Sequence, residues 1–371
     1  MKAIRIPFNN LRPVHAALEL ELQEAIARVI RSGWFVLGPE LEAFEAEFAA
    51  WTGSGYAVGV ASGTDAIELA LRAAGIGAGD QVITVAHTAV ATVAAIEASG
   101  ATPVLVDIDP ITFTIDPAAA AAAITPRTRA IVPVHLYGQA ADLTALSALA
   151  SAHDLVLIED CAQAHGATHA GRLVGSFGSL AAYSFYPTTN LGGCGDGGAV
   201  TTNERRLQER LRSLRNYGQT TRYSHAERGI NSRLDELQAA ILRVKLRHLA
   251  THNDERRRLA AAYSSCLSDV GLPATRAGDG HVFHLYVVRH PLRDAIRLRL
   301  EEEGIGTLIH YPVPVHLQPA YRDLRLPPGS LPATEAAARE IISLPLYIGL
   351  ATADVDVVSA RVSAAARQVA S

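Results

Sequence analysis

Lysine is what this chain most lacks. Of its 33 basic residues only Lys2 and Lys245 are lysines, and the rest are arginine. Chemistry that needs a side-chain amine therefore has two candidates. Cysteine is scarce as well: Cys161, Cys194 and Cys266 are odd in number and far apart. That argues against a disulfide framework or a zinc site, so no metal is expected, and it fits a reducing, cytoplasmic setting. No apolar run approaches the roughly 18 residues of a membrane span. The start, "MKAIRIPFNN", lacks the apolar core of a signal peptide, so no membrane partner is expected. A net charge of -4, well mixed along 371 residues, gives no footprint for nucleic acid. What is present is a 49% hydrophobic composition, enough for one large or two moderate globular domains.

The first 240 residues alternate two periodicities. "LEAFEAEFAAW" (41–51) spaces its apolar residues three and four apart, which predicts a helix with one buried face. "GTDAIELALRAAG" (63–75) repeats the pattern behind small polar residues suited to a cap. "TAVATVAAIEASG" predicts a helix ending on Gly100, and the Ala-rich "DPAAAAAAITP" an ordinary surface helix. "DQVITVA", "TPVLVDID", "RAIVPVHLYG" and "DLVLIEDCA" are apolar throughout, as strands covered on both faces are. The fold class expected is α/β: a mainly parallel sheet flanked by helices. Ligands on such sheets collect at the carboxyl ends of strands. Asp107, Asp109, Tyr137, Glu159 and Asp160 stand at such ends. A long helix is predicted over 233–267. Beyond it "FHLYVVRHP" is strand-like, "LRDAIRLRLEEEG" helical and "IGTLIHYPVPVH" extended. This predicts a large domain over 1–245 and a smaller C-terminal α/β domain over 246–371.

Four local patterns carry candidate chemistry. Ser62, Gly63 and Thr64 precede a helix, where free amides and the positive dipole end make a phosphate seat; a plain capped helix reads the same. Asp160 ends a buried strand, where a carboxylate can pair with a protonated pyridine nitrogen or simply cap the strand. His165 follows it and could line the same cleft or be a structural histidine. "SFYPTTNLGGCGDGGAV" offers Ser184 as a phosphate donor, and its glycines allow close backbone approach to a ligand. Asn231 and Arg233, in "GINSRLDELQAA", precede the long helix and can reach an anion or serve as surface caps.

Taken in this order, the stretches resemble the DegT/DnrJ/EryC1/StrS family of sugar aminotransferases. The likeness runs from "SGWFVLGPELEAFEAEFA" to "IHYPVPVHLQPAY". It implies a fold-type I, aspartate aminotransferase-like enzyme that uses pyridoxal phosphate (PLP) or its pyridoxamine form (PMP). It implies that Gly63, Thr64 and Ser184 hold the phosphate, that Asp160 faces the pyridine nitrogen, and that Gln163 lies beside the ring. Asn231 would reach the phosphate site of the neighbouring subunit of a homodimer. The substrate would be a keto-sugar, usually nucleotide-linked, or in some members a keto-cyclitol of aminocyclitol biosynthesis, with Tyr311, His310, His316 and Arg233 as contributors to its site.

The family pattern reads S-F-x-P-[ST]-K-N, and here Thr189 stands in the lysine's place. That lysine forms the resting Schiff base and then moves the substrate proton. A threonine hydroxyl forms no imine and is too weakly acidic to serve as a base near neutrality. Lys2 in the tail and Lys245, read as surface or interface, are poor substitutes. The aromatic that many members place after the Thr is Ala89, and His87 could take part of its contact. If a base is retained, His165 or His87 is expected to supply it. Three readings follow. The chain could bind PLP, PMP or a keto-sugar non-covalently and catalyse a reaction other than lysine-dependent transamination. It could be an aldimine-trapping variant of an ordinary keto-sugar aminotransferase. Or it could be a non-catalytic partner of a related enzyme, lending Asn231 and Arg233.

Overall fold

Seven strands make one sheet: β1 (Tyr56–Val60), β2 (Gln81–Val85), β3 (Thr102–Val106), β4 (Thr128–Ile131), β5 (Val156–Asp160), β6 (Leu180–Ser184) and β7 (Gly198–Thr202). Their order across the sheet is β1-β7-β6-β5-β4-β2-β3. Neighbours pair in parallel from β3 to β6, while β7 is antiparallel to both β1 and β6. Only β7 is therefore reversed. The computed structural model describes residues 4–370, so Lys2 lies outside the described residues.

The strands are buried along almost their whole length because helices cover both faces. The helices are α1 (Pro39–Thr52), α2 (Gly63–Ala73), α3 (Val90–Ala98), α4 (Arg205–Leu214) and α5 (Glu236–Cys266). One side of the sheet packs Phe44, Phe48, Ile83, Ile131, Tyr183 and Phe185 into a core. The other packs Val58, Leu69, Val82, Ile158, Val200 and Leu211. The expected helices over 41–51, 63–75 and 88–100 all form, shifted by a few residues at their ends.

The run 129–138 differs from its strand expectation. Its continuous ladder stops at Ile131, Pro133 has no N–H to extend it, Val134 adds one isolated bridge to Asp160, and the chain turns over Leu136–Gly138. Tyr137 takes a left-handed φ of 61° in that turn. At Gly138, with φ 95°, an added Cβ would lie 2.8 Å from Val282 Cγ2 and 2.9 Å from the His284 nitrogen. Only glycine lets the 282–284 segment come this close to the strand ends.

Helix α5 runs 31 residues without a break across position 245 and links the two halves of the chain. Beyond it, β8 (Tyr286–Arg289) and β9 (Ile341–Leu344) form an antiparallel pair. Helices α6 (Arg293–Glu302) and α7 (Thr352–Ala370), with a further helix at Pro332–Glu340, complete the C-terminal part. Its own core gathers Tyr263 from α5 with Tyr286, Val288, Ile296, Leu344 and Val358. The 305–316 stretch makes two isolated bridges, Ile305 to Ile6 and Leu308 to Ser343, and ends in a single turn at Val315–Leu317. No described helix is long and apolar enough to cross a membrane.

Candidate active site

The carboxyl ends of β5 and β6 meet the start of α2 around a cavity of about 380 Å³. Gly63, Thr64, Asp160, Gln163, Ser184, Thr189, His310 and Tyr311 all stand on its wall. They come from positions up to 248 residues apart (311 less 63). Three ordinary features of a parallel α/β sheet bring them together: a strand end, a strand-to-loop exit and a helix start.

The helix start offers two free donors. Ser62 Oγ accepts from Asp65 N at 3.1 Å, and the Ser62 carbonyl accepts from Ala66 N at 3.0 Å. The amides of Gly63 and Thr64 are left over, at the positive end of α2. A Cβ on Gly63 would fall 2.6 Å from Ser184 Cβ. This bare backbone therefore lets Ser184 sit against the helix start, and Gly63, Thr64 and Ser184 line the cavity together, the setting of an anion seat.

Asp160 is 4% exposed. Its carboxylate accepts from Thr92 Oγ1 at 2.9 Å and from Ala162 N at 3.1 Å. Both donors are neutral, and Asp160 makes no ion pair among the described residues. Burial therefore raises its pKa above the ordinary carboxylate value, and these hydrogen bonds only partly oppose the shift. A cation at the cavity wall would complete its pairing. The phosphate-sized seat and this carboxylate across the cavity fit a pyridoxal-type cofactor. Gly63, Thr64 and Ser184 would hold its phosphate and Asp160 its ring nitrogen.

Gln163 is fixed between two tyrosines. Its Oε1 accepts from Tyr137 N at 2.7 Å, and its Nε2 donates to the Tyr311 hydroxyl at 3.3 Å. Burial pushes the Tyr311 phenol up to about 12. The Tyr137 hydroxyl donates to the His310 carbonyl and lies 2.8 Å from His87 Nε2.

Thr189 faces its own loop. Its Oγ1 lies 2.8 Å from the Tyr186 carbonyl, 2.9 Å from that of Leu191 and 3.3 Å from that of Ser184. One hydroxyl proton is thus shared among three backbone acceptors of the turn.

The two histidines expected to supply a base stand elsewhere. His87 is buried behind the wall on Tyr137, and burial lowers it to about 4. His165 is fully buried beside the Tyr183 and Phe185 rings, with neither ring nitrogen in a well-formed hydrogen bond. Burial takes it to about 3, outweighing a smaller upward pull from the Ser184 backbone. His316 is also away from the cavity, 3.2 Å from Glu335 Oε1. Asn231 is exposed, and Arg233 donates to Asn216 Oδ1 at 3.2 Å; neither lines the cavity.

Lys245 corrects its surface reading. It is 7% exposed, its Nζ donates to the Gly192 carbonyl at 2.7 Å, and His15 Nε2 lies 2.9 Å away. Helical periodicity turns it inward between flanking arginines that face out. Glu159 is structural too: its buried carboxylate takes His135 Nε2 and the amides of Gly175, Phe177 and Gly178. Cys161 lies beside that pair, and the three side chains form a compact buried group.

Sequence reasoning missed His284. It lines the cavity, and its Nδ1 lies 3.3 Å from Asn190 Oδ1. "FHLYVVRHP" reads only as a strand, and nothing local says which of 14 histidines reaches the cavity.

Comparison with known proteins follows this geometry. A 46% identical relative is the dTDP-3-amino-3,6-dideoxy-alpha-D-galactopyranose transaminase of Aneurinibacillus thermoaerophilus, with 92% of this chain and 94% of that protein matched. The dTDP-3-amino-3,4,6-trideoxy-alpha-D-glucose transaminase of Streptomyces venezuelae is 53% identical over 92% of this chain and 91% of its own. The crystal structure of S. venezuelae DesV in complex with a ketimine intermediate superposes with a TM-score of 0.96. That pair is 52% identical and covers 98% of both chains. NtdA of Bacillus subtilis with bound PMP gives 0.89 at 31% identity, over 99% of this chain and 86% of that one. The architecture is that of a fold-type I PLP-dependent transferase. With residues 17–363 matching its model, the chain belongs to the DegT/DnrJ/EryC1/StrS aminotransferase family.

Proposed function

We propose that this chain binds PLP or PMP without a covalent bond and acts on a nucleotide-linked keto-sugar of aminosugar biosynthesis. The reaction is one other than lysine-dependent transamination. One observation carries the reading. The seat for phosphate and ring nitrogen is kept at Gly63, Thr64, Ser184 and Asp160, while the Thr189 hydroxyl is taken up by its own loop. The relatives named as dTDP-sugar transaminases support the substrate class.

The bound cofactor would supply an electron sink for a carbon next to its own reacting atom. The chain's residues would do the rest. The amides of Gly63 and Thr64 and the Ser184 hydroxyl would anchor the phosphate. Asp160 would hold the ring nitrogen protonated. Gln163, locked by Tyr137 and Tyr311, would keep the cavity floor rigid.

The site is shared in a homodimer on this reading. Trp34, Phe35, Tyr186 and Tyr217 are large and 48–56% exposed, an apolar set that suits a second copy. Asn231 and Arg233, outside their own cavity, would then serve the partner's. The large and small domains are proposed to divide at residue 245, with α5 as the shared strut.

The test is titration of the purified chain with PMP and PLP, with and without a dTDP-linked keto-sugar, followed by borohydride reduction. Saturable binding with no cofactor fixed to the chain is the expected result. Absence of binding to both cofactors, or a covalent adduct on the native chain, would overturn the proposal.

A further inference from the structure

The cavity lacks an amine at position 189 but holds a histidine whose protonation pattern is set by an unbroken hydrogen-bond chain. Asn253 Nδ2 donates to the His165 carbonyl at 2.8 Å. A backbone carbonyl only accepts, so the Asn253 amide is oriented and its Oδ1 faces the other way. That Oδ1 accepts from Asn190 Nδ2 at 2.8 Å, and the same Nδ2 lies 3.1 Å from the Val282 carbonyl. The Asn190 amide is thereby oriented as well, with Oδ1 as its free end. Asn190 Oδ1 can only accept, so the proton of neutral His284 sits on Nδ1. The lone pair is left on Nε2, which makes no hydrogen bond among the described residues.

His310 is the other histidine on the wall, and it lacks this definition. Its Nδ1 meets Ser343 Oγ at 2.9 Å, a hydroxyl that can donate or accept. His284 is also the better placed, because Asn190, which holds it, is the residue next to Thr189.

We propose that His284 is the proton acceptor of this cavity, with Nε2 taking a proton from the carbon beside the carbonyl of a bound keto-sugar. The inference rests on the keto-sugar reading above and adds the residue that does the work. The C–H bond breaks and its electron pair moves towards the carbonyl, whose oxygen becomes enolate. The proton joins Nε2, giving an imidazolium that still donates from Nδ1 to Asn190. Exchange with water replaces that proton on the imidazolium, and its return to the same carbon restores both the ketone and the neutral ring. No oxidant or reductant is consumed. Burial, the largest cause, and Arg256, His310, His165 and His281 lower the His284 pKa, so the ring is neutral before substrate binds and Nε2 is a weaker base than an exposed imidazole.

The experiment uses the full-length chain, with and without saturating PLP, and a dTDP-linked keto-sugar in heavy water. Proton NMR follows loss of the hydrogen next to the carbonyl, and binding is measured on the same samples. The expected result is exchange in the native chain, reduced about 100-fold or more in His284→Gln with sugar binding retained. Nitrogen-15 NMR of the native chain should show His284 protonated on Nδ1 alone. Exchange at the native rate in His284→Gln, or an Nε2-protonated ring, would overturn the assignment. So would native binding without exchange. Failure of the sugar to bind would instead overturn the keto-sugar reading beneath it. If His284→Gln loses binding too, Asn190→Asp decides the matter. A carboxylate against Nδ1 raises the imidazole pKa, so the acid limb of the exchange profile must move to higher pH. A purely structural histidine leaves that limb in place.

Discussion

Thr189 and Lys245 line the same small pocket, of about 30 Å³, which shares Thr188 and Thr189 with the main cavity, whereas Lys245 lines only the small one. Lys245 is the one lysine among the described residues, and its amine is tied to the Gly192 carbonyl rather than directed at the cavity. A volume near that of one water admits no pyridine ring. Burial lowers the Lys245 pKa, so the amine is more nucleophilic than an exposed one, yet it has no access to the cofactor seat.

The first prediction concerns that amine. Incubation with PLP and borohydride should leave Lys245 unmodified in the native chain, as read by peptide mass. Thr189→Lys should gain a visible band that borohydride fixes to residue 189. If Thr189→Lys binds PLP but gives no adduct, the loop does not present position 189 to the cofactor.

The second concerns Asp160. Asp160→Asn should weaken PLP or PMP binding by about 10–100-fold, the worth of a hydrogen bond to a charged group. Cofactor fluorescence titration measures it. The variant should also stabilise the cofactor-free chain at neutral pH. A carboxyl whose folded pKa is raised favours folding below its unfolded pKa, and that contribution is lost as pH rises through the folded pKa. Removing the charge should therefore lift the melting temperature at pH 7 by roughly 2 °C and leave it unchanged in acid. Thr92 can adapt to the amide by accepting from it and donating to Thr88 Oγ1, 2.9 Å away.

Gly63→Ala should remove cofactor binding more than it removes stability. The added methyl would meet Ser184 at 2.6 Å, and relief requires α2 and Ser184 to part. The anion seat then opens, and affinity should fall at least about tenfold, since 1.4 kcal/mol of lost contact suffices. Equal affinity in Gly63→Ala and the native chain would mean the phosphate sits elsewhere.

The dimer reading predicts a linked loss. Phe35→Glu places a charge in the exposed apolar set of Trp34, Phe35, Tyr186 and Tyr217. Light scattering should show a shift towards monomer, with weaker PMP binding in the same samples because Asn231 no longer reaches a partner's site. A monomeric variant with native affinity would remove Asn231 from the proposed cofactor set.

The parts legible in the sequence were those built locally. The apolar strands ending at Asp160 and Ser184, and the helix starting at Gly63, follow from residues within a few positions of each other. The strand predicted through 138 ran too far, because the pattern of apolar residues does not register that Pro133 cannot donate. His165 was chosen for its nearness in sequence to Asp160, but the backbone turns it into the aromatic core. Lys245 was misjudged by its arginine neighbours, since adjacent helix positions face different ways.

The sequence by itself determined the family, the α/β class and that threonine stands at position 189, because each is a matter of which residue occupies a position in a contiguous motif. Tertiary structure alone decided which groups face the cavity. His284 arrives there only because Gly138 admits the 282–284 segment and Asn190 orients its ring across 94 residues of chain. Such meetings depend on how separate elements pack, and no local pattern of side chains encodes them.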